Sequence, residues 1–117
     1  MDYERSRLLD AGYPILSGKV AKVKRDREGF DIHSFEEDGT PMQIEVKATI
    51  SNAGQANFFL SINELQQSKI LNNYYVYMVY EVISGNPKIW VIKNPFHPKN
   101  PNVVLTPKSY RVHINAK

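Results

Sequence analysis

The pattern of hydrophobic and polar positions in the first half of the chain predicts one helix followed by three strands. Residues 3–10 mix leucines with charged positions and predict a short helix, ended by the glycine and proline that follow. Residues 18–25 predict a first strand, and residues 29–35 alternate apolar and polar positions, which predicts a second strand. Residues 41–49 predict a third strand, reached through an Asp-Gly turn signal.

The second half of the chain predicts a helix and two further strands. Ser61 and Glu64 have the spacing of a capping box, so a helix should begin there and continue to about Leu71. Residues 74–83 are apolar on both faces, which is typical of a central, covered strand. Residues 88–93 should pair with them as a hairpin. The apolar side of the helix should be formed by Ile62, Leu65 and Ile70.

The element order is therefore α-β-β-β-α-β-β within a single domain over residues 1–117. This order predicts an α/β (α+β) fold, in which helices flank a mixed sheet of about five strands.

The hairpin between the second and third strands decides which side chains face each other. Strand alternation places Phe30 and Ile32 on one face and Asp31 on the other. A two-residue loop would pair Ile32 with Glu45 and mix the two faces. A three-residue loop at residues 37–39 sets Asp31 opposite Glu45, and its last residue is a glycine, where a left-handed conformation is wanted. We therefore predict the three-residue loop.

Composition narrows the class of protein. Hydrophobic residues make up 42% of the chain, enough for a folded core, and the absence of cysteine excludes disulfides and zinc sites built from thiolates. We find no signal peptide and no run of apolar residues long enough for a membrane span. These features predict a cytoplasmic (intracellular) protein that does not contact a membrane.

The charge distribution suggests a polyanionic partner. The net charge is +3 and the sequence pI is about 9.1. A group of basic residues crowds one short stretch, which would either bind nucleic acid or form an ordinary solvated surface. The group consists of Lys19, Lys22, Lys24, Arg25 and Arg27.

A carboxylate pair with a neighbouring lysine is the strongest candidate for chemistry. Asp31 and Glu45 should face each other, and Lys47 lies on the same strand face as Glu45. Two facing carboxylates repel unless a cation or a proton lies between them. Mg²⁺ or Mn²⁺ suits such oxygen ligands, and a nearby lysine can orient water or offset charge on a phosphate. The set suits phosphodiester hydrolysis, although Glu-x-Lys also occurs on ordinary exposed strands.

Four blocks in order, residues 29–35, 43–47, 58–65 and 74–80, resemble the NO VEIN C-terminal-type domain. This family is catalogued as a domain of unknown function and is often found in bacterial restriction and phage-defence genes. It is similar to the PD-(D/E)xK nuclease superfamily. The resemblance covers about residues 29–81 and implies a core like that of restriction endonucleases.

The resemblance also implies roles for individual residues. Asp31 and Glu45 would be metal ligands, aided by the Val46 carbonyl, and Lys47 would be the catalytic lysine. Many members of the superfamily add a glutamate from the first helix, for which Glu4 is the candidate. Further residues that could reach the site are His33, Gln43 and Asn63. The Ser-x-Asn-Glu block of the family matches Ser61, Asn63 and Glu64, and for Ser61 and Glu64 a capping pair is a sufficient explanation that we favour over a role in the site.

These observations favour a Mg²⁺-dependent DNA endonuclease domain, excised from a larger restriction or phage-defence protein. Such a domain would act as a homodimer or beside partner domains. The alternative is a catalytically inactive module that keeps the nuclease fold and binds nucleic acid or a partner protein.

Overall fold

The computed structural model describes residues 1–24, 28–48, 60–81, 87–96 and 115. Within these residues the helices are α1 (Asp2–Asp10), α2 (Pro14–Lys19) and α3 (Ile62–Ile70). The strands are β1 (Ala21–Lys22), β2 (Ile32–Phe35), β3 (Pro41–Ala48), β4 (Tyr74–Tyr80) and β5 (Lys88–Lys93).

One mixed sheet contains all five strands in the order β1-β2-β3-β4-β5. β3 and β4 are parallel, while the other three pairs are antiparallel. Parallel neighbours need a crossover connection, and α3 lies between β3 and β4 in the chain. The predicted α+β fold with a mixed five-stranded sheet is confirmed. The predicted central strand is confirmed as β4, which has a neighbour on each side and is buried from Tyr74 to Met78.

The hairpin between β2 and β3 has the predicted three-residue loop. The Glu36 amide donates to the Thr40 carbonyl at 2.8 Å, and Gly39 adopts a φ of 91°. Ile32 pairs with Ile44, so the register continues to place Asp31 beside Glu45. A positive φ favours glycine, which explains the residue at the end of this loop.

Two hydrophobic clusters cover the two sides of the sheet. On the α1 face, Leu8 packs against Ile44 and other buried side chains of β2, β3 and β4. On the α3 face, Leu65 packs against a cluster that includes Tyr74 and Val76 of β4. Successive side chains of one strand point to opposite faces, so neighbouring residues of β3 and β4 enter different environments.

The predicted strand over residues 18–25 is wrong for its first half. α2 covers Pro14–Lys19, and among the described residues of this stretch only Ala21–Lys22 pairs with β2. Proline is well suited to the first position of a helix, so Pro14 begins α2 and does not simply end α1. The Ser17 hydroxyl donates to the Arg5 carbonyl at 3.1 Å and ties the two helices together.

Phe30 lies on the α3 face, whereas the alternation predicts that it shares the face of Ile32. The prediction fails because β2 begins only at Ile32 and the chain bends at Asp31. Gly29 permits this path, with a φ of 77° and α3 so close that an added Cβ would lie 2.5 Å from the Gln67 Cβ.

The outer side of α3 also differs from the prediction. The capping box at Ser61 and Glu64 is confirmed, but Ile62 and Ile70 are 72% and 69% exposed. Of the three predicted apolar residues, Leu65 alone packs against the sheet. Ile70 lies five positions after Leu65, which turns their side chains roughly 140° apart on a helix. In the described part of the chain, no helix is both long and apolar enough to cross a membrane.

Candidate functional site

β3 carries a buried glutamate and a lysine to the α3 face of the sheet. Glu45 is only 3% exposed, and the Lys47 Nζ lies 3.3 Å from its Oε1 atom. The two side chains are on one face because they are two residues apart on a strand. Burying a carboxylate is costly unless it is paired, so Lys47 offsets part of the cost of burying Glu45.

Asp31 is held next to this pair by the backbone of β3. Its amide donates to the Ile44 carbonyl at 2.8 Å, and its Oδ2 atom accepts a hydrogen bond from the Val46 amide at 2.8 Å. Asp31 therefore bonds to both residues that flank Glu45. The amide and carbonyl of one strand residue point to the same side of the strand, so the Val46 carbonyl lies on the same side of β3 as Asp31.

Glu64 joins the site from the first turn of α3. Its Oε1 and Oε2 atoms lie 3.3 and 3.2 Å from the Lys47 Nζ. The capping box with Ser61 fixes the carboxylate at the same time. Capping alone accounts for Glu64 in the sequence, so its contact with Lys47 was missed. A local motif gives no signal for a contact that depends on how α3 crosses β3.

Asp31, Glu45 and Glu64 line a cavity of about 240 Å³, and Lys47 contacts two of them, Glu45 and Glu64. The lining of the cavity also includes Lys22 from β1. β3, the bend at Asp31, the first turn of α3 and β1 therefore bring three acidic residues and one basic residue to the same cavity.

The proton balance of the site follows from its crowded carboxylates. Burial raises the pKa of Glu45 to about 9, helped by its hydrogen bond with Glu64 and by the charges of Asp31 and Glu64. Burial also acts to raise the pKa of Glu64, but hydrogen bonds with Glu45 and with the Ser61 amide, together with Lys47, lower it to about 2. One proton therefore resides on Glu45 when no cation is present, as expected for facing carboxylates.

Lys47 keeps its charge in this environment. Burial acts to lower its pKa, but the charges of Glu45 and Glu64 outweigh burial and raise it. The site thus combines a permanent ammonium group with carboxylates that carry more negative charge than this single ammonium balances.

The oxygen donors fit Mg²⁺ better than a cation that needs a complete protein cage. Mg²⁺ is commonly held by one or two carboxylates and keeps several waters. Asp31 and Glu45 provide two carboxylates, and the Val46 carbonyl points to the same side. Across the described ranges, no group of three His, Cys, Asp or Glu side chains has the arrangement of a metal site, so any ion here would need water to complete its shell.

Glu4 does not join this cluster. It is 2% exposed on the α1 face, with its Oε1 atom 2.8 Å from the Arg7 guanidinium. The hydroxyls of Ser34 and Tyr77 donate to it at 2.7 and 2.9 Å. The sheet separates Glu4 from Glu45, because Ser34 and Tyr77 point away from the α3 face.

The remaining candidates are found around the edges of the site. His33 is exposed, with its Nε2 atom 3.7 Å from a Glu28 carboxylate oxygen. The Gln43 Oε1 atom accepts a hydrogen bond from the Asn73 amide at 2.9 Å and helps to line a separate cavity near the hairpin. Asn63 is half-buried in the first turn of α3. None of these three predicted residues is among the described residues that line the 240 Å³ cavity.

The basic stretch is only partly described. Lys22 lines the cavity, and Lys19 and Lys24 are exposed nearby in the chain. Arg25 and Arg27 lie outside the described residues.

The fold and the site define a small α+β domain with an acidic cavity that Lys22 lines and that lies beside Lys47. The family model for "Protein NO VEIN, C-terminal" matches residues 1–92, and the chain belongs to this family. The match extends beyond the four sequence blocks and includes α1 and β5-forming residues up to Ile92. No curated protein and no solved structure matches the chain.

Proposed function

We propose that this domain is a Mg²⁺-dependent endonuclease that hydrolyses phosphodiester bonds in DNA. The observation that carries the proposal is the convergence of Asp31 and Glu45 on one cavity, with the Lys47 ammonium 3.3 Å from Glu45. The four sequence blocks resemble the NO VEIN C-terminal-type domain, and the similarity of that family to PD-(D/E)xK nucleases points to the same chemistry.

The residues of the site divide the work of hydrolysis between them. Asp31, Glu45 and the Val46 carbonyl would hold Mg²⁺, which would supply Lewis acidity and lower the pKa of water when bound. Lys47 would orient the attacking water and offset the negative charge that grows on the phosphate oxygens in the transition state.

A DNA substrate is supported by charge. Lys22 lies in the lining of the cavity, and Lys19 and Lys24 are exposed. Lysines that neutralise phosphates supply affinity that does not depend on sequence and that weakens with salt. The domain would serve as one module of an intracellular restriction or phage-defence protein, acting as a homodimer or beside partner domains.

Plasmid cleavage tests the proposal. Supercoiled plasmid incubated with the protein and Mg²⁺ should be nicked or linearised, and EDTA should stop the reaction. We expect Asp31→Asn and Lys47→Ala to lower the rate at least about 100-fold. Lys93→Ala on β5 is the matched lysine control and should cleave like the parent. The proposal fails if the parent leaves plasmid and linear DNA intact, or if the Asp31 and Lys47 variants match it.

The existing contacts also favour a second candidate, a module that binds DNA without cutting it. Asp31 already accepts a hydrogen bond from Val46, and Lys47 is held between Glu45 and Glu64. Each residue therefore has a partner within the fold. DNA affinity that falls with salt, with no cleavage in Mg²⁺ or Mn²⁺, would favour this candidate.

A further inference from the structure

Glu64 has two sets of contacts, and helix capping accounts for only one of them. At the start of α3, its amide donates to the Ser61 hydroxyl at 3.0 Å and its Oε1 atom accepts from the Ser61 amide at 2.9 Å. The same carboxylate also contacts the Lys47 Nζ through both oxygens. A capping box needs no lysine, so the second set requires another explanation.

The geometry makes Glu64 a rigid anchor for Lys47. A lysine side chain has four rotatable bonds and loses considerable entropy when it is fixed in one place. The cap restrains Glu64, and the side chains of Lys47 and Glu64 are only 18% and 21% exposed. The ammonium is therefore held from two elements, by Glu45 on β3 and by Glu64 on α3.

The balance of charge in a site that holds a divalent ion gives a reason for this anchor. A divalent ion held by Glu45 would repel an ammonium that lies 3.3 Å from the same carboxylate. Glu64 attracts the same ammonium from α3, at 3.2 Å. The three carboxylates of Asp31, Glu45 and Glu64 carry as much negative charge as one divalent ion and the Lys47 ammonium carry positive charge. Lys22 in the lining adds one further positive charge, so removing Glu64 would increase the excess positive charge of the loaded site.

We propose that Glu64 is a positioning residue that keeps the Lys47 ammonium beside Glu45 and supports divalent-cation binding at Asp31 and Glu45. Its importance for catalysis rests on the proposed hydrolysis. The first turn of α3 is thus part of the site.

The test separates anchoring from capping with two variants. Glu64→Gln removes the charge but keeps a side-chain oxygen that can accept from the Ser61 amide. Ser61→Ala removes the capping hydroxyl but leaves the Glu64 carboxylate in place. Melting temperatures report the loss of the cap, and labelling of Lys47 by acetic anhydride, followed by mass spectrometry, reports the freedom of its amine.

We expect Lys47 to be acetylated several-fold faster in Glu64→Gln than in the parent, whereas Ser61→Ala should lower the melting temperature and leave the labelling near the parental rate. Titration calorimetry should show that Glu64→Gln binds Mn²⁺ about 10-fold more weakly, the scale seen when groups that support metal ligands are lost. In the cleavage assay its kcat should fall while KM for DNA stays close to the parental value.

Parental labelling of Lys47 together with parental Mn²⁺ affinity in Glu64→Gln would overturn the proposal and leave Glu64 as a capping residue. If the parent cleaves no DNA but Glu64→Gln shows faster labelling and weaker Mn²⁺ binding, the positioning role stands and only the proposed hydrolysis fails. The two claims can therefore be distinguished in one set of proteins.

Discussion

The two faces of the sheet each bury one glutamate to almost the same extent, but the pKa values of the two glutamates are shifted in opposite directions. Glu4 on the α1 face is 2% exposed, and Glu45 on the α3 face is 3% exposed. Burial acts to raise the pKa of Glu4, but hydrogen bonds from Arg7, Ser34 and Tyr77 outweigh it and lower the pKa. Burial raises the pKa of Glu45 to about 9.

The neighbours of each carboxylate explain the difference. Glu4 is surrounded by donors, which favour its ionised form. Glu45 faces Asp31 and Glu64, so its negative charge is opposed and Lys47 only partly offsets it. A buried carboxylate that is fully paired serves the fold, whereas one with too few positive partners is a candidate for binding a cation. Burial alone does not distinguish the two.

Removing each carboxylate should separate the two faces most clearly. Glu4→Ala should lower the free energy of unfolding by about 3–5 kcal/mol, because Arg7, Ser34 and Tyr77 lose their common acceptor in the interior. Glu45→Ala should cost much less, since Lys47 keeps Glu64 as its partner. Urea unfolding without metal measures both. Equal losses would contradict the distinction between a structural and a functional glutamate.

The stability of the packing between α3 and the sheet should also depend on the close approach of Gly29 to α3. Gly29→Ala should destabilise the protein by about 2–4 kcal/mol, because the new methyl group meets Gln67 and the residue must keep a positive φ. Gly39→Ala is the control, since Gly39 has a positive φ but no atom within 4 Å of an added Cβ. It should lose only about 1–2 kcal/mol.

Thermal unfolding of both glycine variants measures these losses. In Gly29→Ala we also expect weaker Mn²⁺ binding, because residues 28–31 carry Asp31 into the site. Equal losses in the two variants would mean that the contact with α3 contributes nothing.

The contributions of Glu4 and Glu45 to stability should change in opposite directions with pH. The contribution of Glu4 is present above its unfolded pKa of 4.5 and is lost as the pH falls through the lower folded value. The contribution of Glu45 is complete below 4.5 and is lost as the pH rises toward about 9.

Urea unfolding in EDTA from acid to alkaline pH tests these signs. The advantage of the parent over Glu4→Gln should shrink in acid. Glu45→Gln should gain on the parent at alkaline pH, by about 1–2 kcal/mol. If the difference in unfolding free energy between each variant and the parent stays constant across this pH range, the charge states assigned to Glu4 and Glu45 are wrong.

Two tyrosines on opposite faces of β4 give the smallest predicted effects. Within the described structure the buried Tyr74 hydroxyl has no hydrogen-bond partner, whereas the Tyr77 hydroxyl donates to Glu4 at 2.9 Å. Tyr74→Phe should therefore be neutral or stabilise by about 1 kcal/mol, and Tyr77→Phe should destabilise by about 1–2 kcal/mol. Thermal unfolding compares them, and destabilisation by Tyr74→Phe would show that its hydroxyl has a partner, such as bound water.

Local sequence signals predicted several parts of this fold closely. The Asp-Gly turn and the alternation around it identified the three-residue hairpin loop, because a shift of one residue would have exchanged the apolar and polar faces. The capping box located the start of α3, and the bounds of β5 are those expected from residues 88–93. The hairpin register was enough to set Asp31 beside Glu45.

Other features depended on contacts between residues distant in sequence. The periodicity of α3 did not reveal that Ile62 and Ile70 stay exposed, because a helix does not specify which of its sides meets a sheet. Phe30 lies on the α3 face and not on the face of Ile32, because the chain bends after it. Gly29 makes this bend possible by letting the backbone pass close to Gln67. Glu4, placed in the first helix, is separated from the site by the thickness of the sheet.

The sequence by itself determined the order of the five strands, the hairpin register and hence the pairing of Asp31 with Glu45, since these follow from side-chain alternation and turn chemistry within short segments. It did not reveal α2, which covers part of the predicted first strand. Only the tertiary structure decided that Glu64 reaches Lys47 and that Glu4 is bound by Arg7, Ser34 and Tyr77. Packing against the sheet fixes where each helix lies, and the charge state of a buried carboxylate depends on the neighbours that this packing brings to it.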